Sequence, residues 1–313
     1  MATVNAPVPA DPRMDTRIAE ETGASTPASP KRGGLGGSVW WRHALGILAL
    51  MWALFPILFI YSAATNPSGT LNTASLWPSG FSTKNFTDLF NDSSRPFWTW
   101  YKNSMTISLA GALLAVFLGA CAAFAFSRLR FKGRRPGMMF LLLTTFFPAL
   151  LAIVAMYIIF AGISDVLPAI GLNTTTGLIL AYLGGALGAN VWLLKGYFDT
   201  VPREIDEAAI VDGASHARIF FTMHLRLITP ILITVGMIAF VGFFNEFLLA
   251  SIFLKDVDSQ TLAVGLYALN EADKSKYFGP FCAGAILASI PIVVIYLAGQ
   301  KQLISGMTAG SVK

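Results

Sequence analysis

Six long apolar runs restrict the fold of this chain more than any other feature of its sequence. A helix that crosses the hydrocarbon core of a bilayer needs about 20 mostly apolar residues, because no water is present there to bond open backbone groups. A soluble bundle of buried helices is the alternative, but successive runs of this length disfavour it. The sequence therefore predicts an all-α, polytopic membrane protein with six transmembrane helices. The runs span residues 43–65, 104–126, 138–161, 177–194, 231–254 and 278–299.

Lys and Arg are divided unevenly between alternate loops. Loops that face the cytoplasm carry an excess of both residue types. The loop after the second run holds Arg128, Arg130, Lys132, Arg134 and Arg135, and the loop after the fourth run is also basic. The intervening loops carry fewer basic residues over longer stretches that also contain acids. This distribution predicts that both termini are cytoplasmic, and it explains the formal net charge of +5 without a nucleic-acid partner.

The predicted organisation of the chain follows from these runs. Residues 1–42 are rich in Ala, Pro, Thr, Ser and Gly, and they predict a disordered cytoplasmic tail because they bury too little apolar surface to become ordered. The other predicted parts are a first transmembrane helix at 43–65, an extracytoplasmic loop at 66–103, a core of five transmembrane helices at 104–300 with a cytoplasmic loop at 195–229, and a cytoplasmic tail at 301–313.

The sequence contains none of the familiar catalytic motifs. It has no Gly-rich phosphate loop, no nucleophile elbow and no pair of carboxylates at the end of a span. His43, His216 and His224 are interpreted as interfacial or surface residues, because no Cys, His or acid lies at metal-ligand spacing from them. Cys121 and Cys282 fall within predicted spans, where a free thiol behaves as a small hydrophobe. The sequence therefore predicts no metal site, no cofactor and no enzymatic activity in this chain.

A short charged helix is predicted within the cytoplasmic loop 195–229. Pro202 suits its opening turn, and Gly213 suits its end. Ile205, Ala209 and Gly213 lie at positions i, i+4 and i+8 and therefore share one face of the helix, along which the side chains become smaller. Such a face on a short exposed helix suits insertion into a groove of another protein. The alternative is that the helix lies on its own bundle.

The run "EAAIVDGASHARIFFTMHLRLITP" resembles the cytoplasmic signature of binding-protein-dependent ABC importer permeases. In that family the segment forms coupling helices that dock into a cleft of the ATP-hydrolysing subunit. The resemblance implies ATPase-coupling roles, and Arg226 stands where the family usually has proline. The residues to which it assigns coupling are Glu207, Ala208, Ala209, Asp212 and Gly213.

The resemblance covers nearly the whole chain from about residue 43. "NEFLLA" and "GMTAGSVK" are similar to the carbohydrate branch, and "VWLLKGYFDTVP" and "DVDSQTLAVGL" resemble MalG-type maltose/maltodextrin permeases. This implies the type I ABC importer permease fold in the cytoplasmic (inner) membrane of a bacterium, and import of maltose or maltodextrins. Trehalose or another α-linked oligosaccharide is the alternative substrate. The implied partners are a second permease subunit, an ATP-binding subunit dimer that holds ATP and Mg, an extracytoplasmic sugar-binding protein and membrane lipid.

Glu246 is the only acid within the predicted spans. A carboxylate that faces lipid costs about 2.5–3.5 kcal/mol on insertion scales, so Glu246 is expected to face the interior of the bundle or a watery cavity. Asn245 and Glu246 are therefore candidates for the wall of the transport pathway or for a gate. Hydrogen bonding between helices, with Glu246 paired to Asn245 or to a backbone group, is the alternative.

The extracytoplasmic loop from Lys255 to Tyr277 combines an apolar patch with charge. It is a candidate docking site for the binding protein, and capping of the chain's own helices is the alternative. The candidate docking residues are Thr261, Leu262, Val264, Leu266 and Tyr267.

Two other functions fit the sequence less well than that of an ABC permease. A secondary carrier uses intramembrane charges for ion coupling and commonly shows inverted repeats, but this sequence has a single intramembrane acid and no visible repeat. A membrane-embedded enzyme needs convergent polar residues within its spans, and the runs lack them.

Overall fold

The structure is a computed structural model that describes residues 40–71, 74–77 and 79–309. Most of the predicted disordered tail, residues 1–39, lies outside the described residues. Helices, turns and loops make up the described part of the chain, without a strand. The all-α prediction is therefore confirmed for these residues.

Twelve α-helices organise the described chain. They are α1 Trp40–Thr65, α2 Lys84–Asn91, α3 Phe97–Arg128, α4 Arg134–Thr145, α5 Ala149–Val166, α6 Thr175–Thr200, α7 Arg203–Val211, α8 His216–Leu227, α9 Thr229–Asn245, α10 Leu248–Phe253, α11 Leu262–Ala272 and α12 Lys274–Ala309. A π-helical turn lies inside α8 at Phe220–His224. Contacts divide the described chain into two units at Phe55 and Pro56, and the packing described below belongs to the second unit, which begins at Pro56.

Four helical segments are long and apolar enough to cross a membrane: Trp40–Thr65, Phe97–Arg128, Thr175–Thr200 and Ser275–Gln302. Two bent pairs raise the number to six if each counts as one span. In the predicted run 138–161, α4 and the helix that follows it are bent by 106°. Pro148 precedes α5, and proline disfavours the helical conformation of the residue before it. Helical apolar spans are thus confirmed, whereas the count of six and the orientation stay predictions.

Helices α3 and α6 form the most extensive helix pair of the second unit. Ala115, Gly119 and Ala123 are buried along α3, and small residues of this kind let two helix backbones approach closely. A β-carbon at Gly119 would lie 3.4 Å from atoms of both Asn190 and Leu194 on α6. The two helices are therefore closely packed, and they fix the positions at which the loops at their ends begin.

The termini of two elements differ from the predicted boundaries. The predicted loop 66–103 contains all of α2 and the start of α3, because α3 already begins at Phe97. Helix α12 continues to Ala309, so residues 301–309 of the predicted tail 301–313 are helical. Hydrophobicity marks where a helix enters lipid, but it does not mark where the helix ends.

Candidate functional site

The candidate coupling segment consists of α7, the turn 212–215 and α8. Helix α7 has two different faces. Ile205 and Asp206 are half-buried and Ala209 is 3% exposed, whereas Val211 is 86% exposed. Of the predicted coupling residues, Glu207, Ala208, Asp212 and Gly213 are exposed.

The buried position of Ala209 corrects one part of the sequence interpretation. The face of Ile205 and Ala209 was expected to enter a partner's groove, but it packs against the chain itself. This is the alternative that the spacing left open. The face that remains exposed includes Glu207, Ala208 and Val211.

Gly213 ends α7 in a Schellman motif. Its φ is +78°, and the N–H of Gly213 donates to the carbonyl of Ile210 at 3.0 Å while that of Ala214 donates to Ala209 at 2.9 Å. A β-carbon at Gly213 would meet no atom within 4 Å of this chain. The glycine is thus required by backbone conformation within the chain, since a side chain in this region costs about 1–2 kcal/mol.

A buried polar cluster fixes the coupling segment to the spans. The carboxylate of Asp206 on α7 lies 3.3 Å from Nε of Arg128, the last residue of α3, and its other oxygen bonds to Nε2 of His224 on α8. The side chain of Arg128 is 7% exposed and that of His224 is fully buried. Arg128 also donates to the carbonyl of Phe198 at 2.6 Å and to that of Val201. The cluster therefore joins α3, α6, α7 and α8.

Aromatic rings enclose the imidazole of His224. The ring centroids of Phe124 and Phe198 lie 5.1 and 5.5 Å from that of His224, and Phe220 packs 5.1 Å from Phe124. Burial among apolar rings strengthens the electrostatic attraction to Asp206, and it makes loss of that partner costly. The segment is held by a polar pair inside an apolar shell.

The interpretation of His224 as a surface residue was wrong. Spacing within one helix does not indicate this contact, because Asp206 is 18 residues away and reaches His224 across the turn at Gly213. The sequence contains one indication that Asp206 is partly buried: on a helix it lies nearer to the face of Ile205 and Ala209 than to the face of Glu207. His216 is exposed, as expected. Among the described residues, no group of His, Cys, Asp and Glu could hold a metal ion.

Glu246 lies where the predicted run 231–254 breaks between α9 and α10. Its carboxylate accepts the hydroxyl of Tyr182 at 2.6 Å and the backbone N–H groups of Leu249 and Ala250 at 2.8 and 3.0 Å. Asn245 is exposed and donates to the carbonyl of Val241 at 2.9 Å. Glu246 therefore caps α10 and bonds to α6, and its partners do not include Asn245. A role of either residue in the pathway or in a gate stays a prediction.

We expect Glu246→Ala to destabilise the chain by about 1–3 kcal/mol, because Tyr182 and the first turn of α10 lose their acceptor. Tyr182→Phe removes only the bond between helices, so it is the matched control and is expected to cost less. Thermal unfolding of the two variants in detergent tests this. Equal stability of Glu246→Ala and the wild type would contradict the capping role.

Most of the candidate docking residues in the loop 255–277 face the chain's own core. Thr261, Leu262, Val264 and Leu266 are buried, and Tyr267 is 51% exposed. Ser104 on α3 accepts the N–H of Leu262 at 2.8 Å. The four buried side chains therefore fit the alternative left open by the sequence, in which the loop caps the chain's own helices. Only Tyr267 of this set has an exposed side chain.

Residues 111–308 match the protein family described as "Binding-protein-dependent transport system inner membrane component". The match covers more than half of the chain and includes the whole coupling segment. The chain belongs to this family.

Named relatives of this family are transport-system permease proteins for sugars. The maltose/maltodextrin transport system permease protein MalG of Vibrio vulnificus (strain YJ016) is 37% identical over 290 residues, which cover 88% of this chain and 96% of that protein. The galactooligosaccharides transport system permease protein GanQ of Bacillus subtilis (strain 168) is 39% identical over 264 residues, which cover 83% and 90% of the two chains. The chain is therefore an ABC sugar permease of the MalG type.

A solved structure shows the same fold. It is the crystal structure of a bacterial ABC transporter involved in the import of the acidic polysaccharide alginate, and one of its chains matches with a TM-score of 0.70 at 20% identity. The match covers 94% of this chain and 99% of that chain. The resemblance to importer permeases found in the sequence is thus confirmed at the level of fold.

Proposed function

We propose that this chain is one of two permease subunits of an ATP-driven sugar importer in the cytoplasmic membrane of a bacterium. The proposal rests on the two faces of α7. One face is attached to the helical bundle through Asp206. The opposite face, which includes Glu207, Ala208 and Val211, is exposed. An element that transmits force between two proteins needs both a rigid attachment and a free contact surface.

The proposed mechanism assigns transmission to the coupling segment. An ATP-binding subunit dimer binds ATP and Mg and closes, and it carries the free face of α7 with it. Because Asp206 is bonded to Arg128 on α3 and to His224 on α8, the displacement reaches the spans as a rigid-body motion. The second permease supplies the other half of the pathway wall. This chain supplies no nucleotide site in the proposal, and ATP hydrolysis belongs to the partner.

The proposed substrates are maltose and linear maltodextrins, delivered by an extracytoplasmic binding protein. The name of the MalG relative supports this choice, and the family description supports the need for a binding protein. The GanQ relative favours a second candidate, galactooligosaccharides, at comparable identity. Trehalose or another α-linked oligosaccharide is a further alternative.

Sugar uptake in a deletion strain tests the substrate. We expect a strain without this chain to lose high-affinity uptake of labelled maltotriose, and the gene supplied in trans to restore it. Labelled galactobiose and trehalose are the comparison substrates. Unchanged maltotriose uptake together with loss of galactobiose uptake would replace maltodextrin by galactooligosaccharide. Unchanged uptake of all three sugars would contradict the proposed substrate class.

A further inference from the structure

A cavity of about 530 Å³ lies between the end of α3, the start of α4 and the end of α6. Its wall includes three basic residues, Arg134, Arg135 and Lys195. Arg128, two residues beyond Phe126 of the cavity wall, pairs with Asp206 of the coupling segment. The cavity therefore lies at the end of the bundle that carries the coupling segment, at the level where two apolar spans end.

The charge around the cavity is strongly positive. Arg134 donates to the carbonyls of Phe126 and Ser127 at 2.7 and 3.1 Å, which fixes its guanidinium in place, and Lys195 pairs with Asp199. Arg135 is exposed and makes no ion pair within the part of the chain that the structure describes. The sequence contains no acid between Asp92 and Asp165. At least one cation of the cavity thus has no counter-charge among the residues that the structure describes.

The rest of the wall is apolar. Met138 and Leu142 lie one and two turns beyond Arg134 on α4, and Trp192 lies one turn before Lys195 on α6. Trp192 is 49% exposed. Methionine adapts to irregular apolar ligands, and tryptophan is enriched at the boundary between headgroups and acyl chains. The basic residues therefore lie at one end of the cavity and the apolar residues line the rest of it. An amphiphile has the same order of charged headgroup and apolar chain.

We propose that this cavity binds an anionic phospholipid, with the phosphate near Arg135 and Lys195 and an acyl chain against Met138, Leu142 and Trp192. Basic pockets between helices on the cytoplasmic side of a membrane suit acidic headgroups. A second permease subunit on the same surface would have to supply both an acid and an apolar group at this depth, whereas a lipid carries both. The lipid then braces α4 against α6 beside the coupling segment.

Photocrosslinking in bilayer nanodiscs tests the site. The full chain is reconstituted with photoreactive phosphatidylglycerol, and unlabelled phosphatidylglycerol or phosphatidylcholine competes. We expect crosslinks in peptides that contain residues 134–142 and 192–195, with competition by phosphatidylglycerol only. Arg135→Gln combined with Lys195→Gln is expected to weaken phosphatidylglycerol competition on the order of tenfold, because each cation near the surface contributes to binding of acidic lipid.

The control removes the same charge outside the cavity. Lys132→Gln combined with Arg226→Gln changes two exposed cations at the same end of the bundle, and it is expected to leave the competition unchanged. An equal loss in this control, equal competition by phosphatidylcholine, or displacement by soluble glycerol phosphate would overturn the proposal. Loss of the crosslinks when the second permease is present would also overturn it, because the surface would then belong to that protein. The assay requires no transport, so its outcome is independent of the proposed function.

Discussion

Replacement of Asp206 by alanine is expected to destabilise the chain by about 3–5 kcal/mol, the cost of removing one partner of a buried ion pair. Arg128 would keep a guanidinium that is 7% exposed and has lost its ion pair, and His224 would keep a fully buried ring without its bond. We expect a lower amount of the variant in membranes and a lower midpoint of thermal unfolding in detergent. Both measurements report on the attachment of α7 rather than on contact with another protein.

Two further variants test whether the loss of stability is specific to Asp206 and whether it comes from the unpaired charge on Arg128. Asp212→Ala removes an exposed carboxylate from the end of the same helix and is expected to leave stability unchanged. Arg128→Met in the Asp206→Ala background removes the orphaned charge, so it is expected to recover part of the loss. If Asp206→Ala were as stable as Asp212→Ala, the cluster would not anchor the coupling segment.

Replacement of Val211 by aspartate is expected to leave the amount of chain in the membrane normal and to abolish retention of the ATP-binding subunit. Val211 is 86% exposed, so the substitution leaves the packing of this chain intact. In the proposed complex the aspartate at position 211 places a charge within an apolar contact, next to the carboxylate of Asp212. Central contacts of an interface are worth about 2 kcal/mol or more, which corresponds to a rise of about thirtyfold in the dissociation constant of the complex with the ATPase.

Two aspartate substitutions are the controls for Val211→Asp. Ala209→Asp, on the opposite face, is expected to lower the amount of folded chain because Ala209 is 3% exposed. Val257→Asp puts the same change at another exposed valine, in the loop between α10 and α11, and is expected to keep the ATPase bound. Co-purification after gentle detergent extraction measures all three. Normal ATPase retention by Val211→Asp would mean that this face is not the contact surface.

The sequence was sufficient to locate the short charged helix α7 but not to orient it, and its coupling role stays a prediction. Apolar runs and the Glu-Ala-Ala pattern depend on local spacing, and both are visible without a structure. The direction of the face with Ile205 and Ala209 depends on what α7 packs against, and the apolar cluster beside Ile205 includes Ala123 and Phe124 of α3, far from α7 in the chain. The same reason explains why His224 was missed: its partner Asp206 is close in space only after the turn at Gly213 has formed.

Broken spans are a second feature that the apolar pattern could not reveal. The run 231–254 is continuous in hydrophobicity, yet α9 ends at Asn245 and α10 begins at Leu248. The break is stabilised by the carboxylate of Glu246, which caps α10 and accepts from Tyr182 on another helix. The cost of a carboxylate in lipid predicts that Glu246 faces the interior of the bundle or a watery cavity, but the identity of its partners required the tertiary structure.

Uptake into proteoliposomes tests the central claim most directly. The complex of this chain, the second permease and the ATP-binding subunits is reconstituted with ATP inside the vesicles, and the sugar-loaded binding protein is added outside. We expect accumulation of labelled maltotriose that requires both ATP and the binding protein and that persists when an ionophore collapses the proton and sodium gradients. Uptake that proceeds without ATP and stops with the ionophore would show a secondary carrier and contradict the account.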